Sequence, residues 1–75
     1  MWLVTITCSA DAWKHHSAEF LAIASKYPCT SVSSKKMQSD GDRIMQYQFE
    51  HVGDVEAFEE ECALLPEFTT MFESL

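Results

Sequence analysis

Three kinds of side chain in this sequence can do chemistry: the histidines His15, His16 and His51, the cysteines Cys8, Cys29 and Cys62, and a carboxylate run that begins at Asp54. His15 and His16 are adjacent, so on a helix their side chains diverge by about 100° and cannot chelate one ion together. The i, i+4 spacing sets Glu19 beside His15, which is ordinarily a weak local contact, and His16 falls on the rim of an apolar stripe as a packing residue. An odd number of cysteines with no CxxC and no short spacing to a histidine argues against a disulfide scaffold and a structural zinc site. Cys8 and Cys62 are expected to face the core as small hydrophobes. Cys29 follows Pro28 at a turn, with no histidine partner defined. The two glycines, Gly41 and Gly53, stand alone, so there is no glycine-rich phosphate loop. No cofactor and no metal is expected.

The carboxylates are the densest feature. Asp54, Glu56, Glu59, Glu60 and Glu61 fall within eight residues, have no lysine at i+4, and are continued by Glu67. Residues 39–75 carry ten carboxylates against the single Arg43, a net −9, whereas residues 1–38 are +2. Such a balance repels a polyanion and argues against direct nucleic-acid binding. The calcium-loop order D-x-D-x-D-G is also absent. A solvated face is the commonest role for such a run. The functional alternative is a partner-binding surface for a basic protein, including the groove of a nucleic-acid-handling factor whose phosphate ligand the carboxylates imitate.

These residues must be positioned by a small fold, since 75 residues make one domain with little room for a buried substrate. Residues 2 to 8 alternate Trp2, Val4, Ile6 and Cys8 with Leu3, Thr5 and Thr7, which predicts a strand. A helix over about 11–26 follows, capped by Ser9 or Asp11, with Trp13, Phe20, Ile23, Ala24 and Tyr27 on one stripe. Residues 29–38 read as an edge strand guarded by lysines, and Ser39-Asp40-Gly41-Asp42 as the hairpin turn to a strand over 43–50. Gly53 and Asp54 open a second helix with Val55, Phe58, Cys62 and Leu65 inward, ended by Pro66. Residues 67–73 form a fourth strand, with Phe68, Thr70 and Phe72 on one face and Phe68 and Phe72 expected in the core.

The order β-α-β-β-α-β predicts an α+β, ferredoxin-like split βαβ: a four-stranded antiparallel sheet with two helices on one face and the first and third strands central. The other sheet face would then show Leu3, Thr5, Thr7, Ile44, Gln46 and Gln48, with Ser31, Ser33, Met37, Thr69 and Met71 at its edges. Leu3, Thr5, Ile44, Gln46 and Met71 form the candidate dimer or docking face on that side. An RNA-recognition domain has the same element order but stacks bases on aromatic residues of this face, where the present chain offers Gln and Thr.

The segments Asp54-Val55-Glu56-Ala57-Phe58 and Leu64-Leu65-Pro66-Glu67-Phe68-Thr69 resemble the last helix and strand of small ACT-like regulatory modules. Tyr47-Gln48-Phe49-Glu50-His51 with Ala57-Phe58 is similar, more distantly, to dimeric α+β-barrel monooxygenases. The first resemblance implies a ligand-sensing homodimer. The second implies a cofactor-free oxygenase whose cavity Trp13, His16 and Tyr47 would line, while a thiol or histidine catalyst would draw on Cys29 and His51. No two of these have a spacing that demands proximity. The leading expectation is therefore a non-enzymatic regulatory or inhibitory protein that binds a basic protein partner. MWLVTITC lacks a basic leader and reads as a strand, so no membrane span and a reduced, cytoplasmic setting are expected.

Overall fold

The alternation at the start of the chain resolves into β1 (Trp2–Cys8), in which Val4, Ile6 and Cys8 are buried while Leu3, Thr5 and Thr7 are half-buried. The computed structural model describes residues 1–36, with Lys36 by its backbone alone, and 41–75. The other elements are α1 (Ala10–Ser25), β2 (Cys29–Lys36), β3 (Arg43–Phe49), α2 (Val52–Cys62) and β4 (Phe68–Ser74). All ladders are antiparallel in the order β2-β3-β1-β4, so β1 and β3 are central, as a right-handed crossover requires. Both helices bury their apolar stripes on one face, and the chain has the ferredoxin-like α+β fold.

The core is aromatic at its centre. Phe20, Phe49 and Phe58 are wholly buried with Val4, Ile6 and Val55, and the Phe58 ring meets those of Phe20, Tyr27, Tyr47 and Phe49 at centroid distances of 5.2–6.3 Å. Such offset and edge-on contacts add to the area buried because a ring's positive edge meets another's negative face.

The helix ends follow from local chemistry. Ser9 is the N-cap of α1: its Oγ accepts the Ala12 amide at 3.1 Å and donates to Glu67 Oε2 at 2.9 Å. Helix α2 begins at Val52, before the expected Gly53, and its N-cap His51 makes no side-chain capping bond. It stops at Cys62, where bonds from Leu64 to Glu61 and from Leu65 to Cys62 tighten the chain ahead of Pro66. Glu67 then takes a left-handed backbone, φ 63°, to enter β4.

Two details differ from the sequence reading. Ser31 pairs with Tyr47, whereas Ser33 pairs with Gln46, so Val32 is an extra, bulged residue that reverses the face of what precedes it. Ser31 therefore lies on the helix-covered side rather than the open one, and Cys29 pairs with Phe49 above the core. Phe72, expected in the core, is 38% exposed, because β4 runs out at the sheet edge, and among the described residues its ring meets only that of Trp2, edge-on at 5.9 Å. Of the expected hairpin turn, Ser39 and Asp40 lie outside the described residues, as does Met37, and Gly41 has φ 80°, a left-handed conformation that favours glycine.

Candidate functional site

Helix α2 carries the carboxylates around most of its circumference, because Val55, Phe58 and Cys62 claim only the inward stripe. Glu56 and Glu60 are exposed, Glu59 and Asp54 are half-buried on its flanks, and Glu67 is exposed beyond its end. Glu61 faces α1, where Lys26 Nζ donates to its Oε1 at 2.6 Å and the Tyr27 hydroxyl donates to its Oε2. These two donors, Lys26 first, hold the Glu61 carboxyl below the usual carboxylate range. The same bond, with a smaller contribution from desolvation, pushes the Tyr27 phenol up to about 12. Sequence spacing gave no sign of this cluster, since its members lie 34 and 35 residues apart. Among the described residues, Glu56, Glu59 and Glu60 have no such compensating cation.

Beside these carboxylates runs a groove between the helices, lined by Ala22, Ile23, Leu64 and Leu65 and rimmed by Glu19 and by the Lys26–Glu61 ion pair. It continues past Tyr27 and Ala57 to Glu60. Leu64 is 81% exposed there, a large apolar side chain beside the Lys26–Glu61 pair, with Glu60 further along the groove.

The open sheet face is ordered in rows by the ladder register. One row runs Lys35, Ile44, Thr7, Thr69; the next Ser33, Gln46, Thr5, Met71; the last Thr30, Gln48, Leu3, Glu73. The candidate docking residues Leu3, Thr5, Ile44, Gln46 and Met71 therefore do share this face. The β1 column of Thr5 and Thr7 separates Ile44 from Met71, and a shallow hollow of about 360 Å³ lies over Leu3, Thr5, Met71, Phe72 and Glu73.

The residues with catalytic potential are not assembled. His15 Nδ1 lies 2.9 Å from the Asp11 carbonyl, so its ring turns back along α1 and it is His16, not His15, that approaches Glu19, at 3.5 Å and without a hydrogen bond. His51 is exposed at the start of α2. Trp13 lies under the Arg43 guanidinium, 4.6 Å from the ring centroid, a cation–π contact invisible to spacing. Cys29 and Tyr47 lie on the helix-covered side, where the Cys29 thiol donates to the Ala24 carbonyl at 3.6 Å. Burial raises the pKa of both. Among the described residues, no group of three or more His, Cys, Asp or Glu side chains could hold a metal ion, and no helix is long and apolar enough to cross a membrane.

No protein-family model matches this sequence, and no curated protein sequence matches it. Solved structures do match in shape. The uncharacterized protein TM1266 from Thermotoga maritima superposes with a TM-score of 0.75 at 12% identity, over 99% of this chain and 94% of its own. The C-terminal domain of the MgtC protein from Mycobacterium tuberculosis gives 0.65 at 15% identity, over 96% and 83% of the two chains. An uncharacterized NIPSNAP domain protein from Burkholderia xenovorans gives 0.62 at 13% identity, over 100% and 94%. At these identities what the chain shares with all three is the small βαββαβ ferredoxin-like fold.

Proposed function

We propose that this chain is a non-enzymatic regulatory or inhibitory module that binds a basic partner protein through the acidic side of α2. The observation that carries the reading is the exposed Leu64 in a groove that leads to the uncompensated Glu60 and Glu56 of α2, with Glu19 on its far rim and Glu61 already paired with Lys26. A partner with lysines or arginines around an apolar anchor matches both the charge and the shape. Among the described residues no cation pairs with Glu56 or Glu60, so their field is available to steer an encounter. The dispersal of His15, His16, His51 and Cys29 supports binding rather than catalysis. The resemblance to ACT-like modules supports regulation, and a reducing, cytoplasmic setting is part of the proposal, in keeping with three free thiols.

Affinity capture from the native host tests it. The wild-type chain should retain a basic, nucleic-acid-handling protein at 0.1 M salt and release much of it at 0.5 M, because screening shortens from about 10 Å at 0.1 M to about 3 Å at 1 M. The double variant Glu56→Lys, Glu60→Lys should lose that protein. Equal capture by the charge-reversed chain would remove α2 from the account.

A further inference from the structure

Charge is divided between the two sides of this molecule. The net charge is −7, and the dense carboxylates lie on α2 and after it, yet among the described, ladder-paired residues of the open sheet face the cation is Lys35 and the anion Glu73, with Asp42 and Glu50 just beyond the ends of β3. Lys35 and Glu73 stand at opposite corners of that face: Lys35 on the outer strand β2, opposite Ile44, and Glu73 on the outer strand β4, opposite Leu3. Strand spacing of about 4.8 Å and rise of about 3.4 Å per residue put them roughly 20 Å apart, too far to pair within one chain.

We infer that the open face is a self-association surface and that its occupant is a second copy of this chain. A two-fold axis lying in the face along its other diagonal, from Thr30 to Thr69, brings Lys35 of each copy onto the second copy's Glu73, twice over. The same rotation carries Met71 to the second copy's Ile44 and Thr7, covering a methionine that is 69% exposed. It also turns the strands of one sheet to cross those of the other at close to a right angle, an established way for sheets to stack. Within the paired rows, neither Lys35 nor Glu73 meets its own kind.

Two further points favour a second copy over an unrelated protein. The stacking leaves both α2 helices on the outside, with two sheets between them, so two chains of like net charge meet where they repel least. The area also suits a weak dimer. Four strands of seven residues span about 19 by 24 Å, so two faces crossed at a right angle overlap over about 19 by 19 Å each, roughly 700 Å² in total before side-chain relief, below the size of a stable complex. A dimer of this size, held partly by exposed ion pairs, is expected to be weak, populated at tens of micromolar, and sensitive to salt.

Sedimentation equilibrium across about 5–200 µM tests the inference, with circular dichroism confirming that each variant folds. The wild type should shift from monomer to dimer across that range. Lys35→Glu and Glu73→Lys should each weaken the dimer about five- to tenfold, and the double variant carrying both should recover most of the wild-type affinity, because the swap restores opposite charges at both corners. Met71→Glu should weaken it further than either. A wild type that stays monomeric throughout would overturn the inference, and so would a dimer that is indifferent to Lys35→Glu, to Glu73→Lys and to their combination.

Discussion

Phe58 and Phe72 both follow the apolar parity of their elements, yet the structure assigns them very different weight, and truncation of each to alanine measures the difference. Phe58 is wholly buried and meets four aromatic rings. Its replacement removes the ring's transfer free energy and opens a cavity among rings that cannot all close in, so the cost is about 4 kcal/mol. Phe72 is 38% exposed and has one ring contact, with Trp2. Its loss forfeits part of one side chain's burial and leaves no closed cavity, about 1–1.5 kcal/mol. The total stability of 75 residues is about 4–11 kcal/mol, so Phe58→Ala approaches the whole margin. Urea unfolding followed by circular dichroism reads this out. With a slope of about 1 kcal/mol per molar, Phe72→Ala should lower the midpoint by about 1 M and Phe58→Ala by about 4 M. Should Phe58→Ala leave no folded baseline, Phe58→Leu, at about 1–2 kcal/mol, keeps the comparison measurable. Equal midpoints for Phe58→Ala and Phe72→Ala would refute the assignment of the core to the Phe20, Phe49 and Phe58 centre.

Three other outcomes are expected. Ultraviolet titration should show one tyrosine ionising near 12, and Glu61→Gln should return it toward the ordinary tyrosine range; since the bond raises the Tyr27 pKa, its stabilisation is full below the unfolded value and lost as pH rises through about 12. The paired depression of Glu61 acts at the other end: its contribution holds above the ordinary carboxylate value and fades as acid protonates the group. Ser9→Ala removes both a helix cap and the bond to Glu67, and should cost about 1 kcal/mol in the same urea assay; no change would deny Ser9 the capping role. Burial raises all three thiols, Cys62 to about 12, but Cys8 and Cys62 are sealed in the core while Cys29 is half-buried, so a disulfide reagent should label Cys29 first and the other two only on unfolding. Rapid labelling of Cys62 in the folded protein would contradict a sealed core.

The element order was legible in the sequence because each segment keeps one period. Val4, Ile6 and Cys8 alternate, Phe20 and Ala24 follow a helical stripe, and Asp-Gly and Pro66 punctuate. What escaped has identifiable physical causes. A bulge at Val32 changes strand parity without changing composition, so Ser31 could not be placed from alternation alone. Parity says which way Phe72 points but not whether a helix covers it there. The acidic run on α2 was visible as a run, but the capture of Glu61 by Lys26 and Tyr27 depends on how two helices lie together. The groove around Leu64 depends on the same arrangement. His16, rather than His15, approaches Glu19 because the His15 ring turns toward the Asp11 carbonyl instead.

The period of two in β1 also bears on how such a chain changes over time. Val4, Ile6 and Cys8 serve the interior while Leu3, Thr5 and Thr7 face the other way, and Glu56 and Glu60 sit on a helix that touches neither set with its outer side. No side chain of the open face also lines the acidic groove. Substitutions on opposite sides of the sheet, sharing no partner, should add in their effects rather than compound. Selection on one surface therefore need not disturb the other, and a domain of this size has room for two recognition surfaces whose sequences drift independently over a common interior.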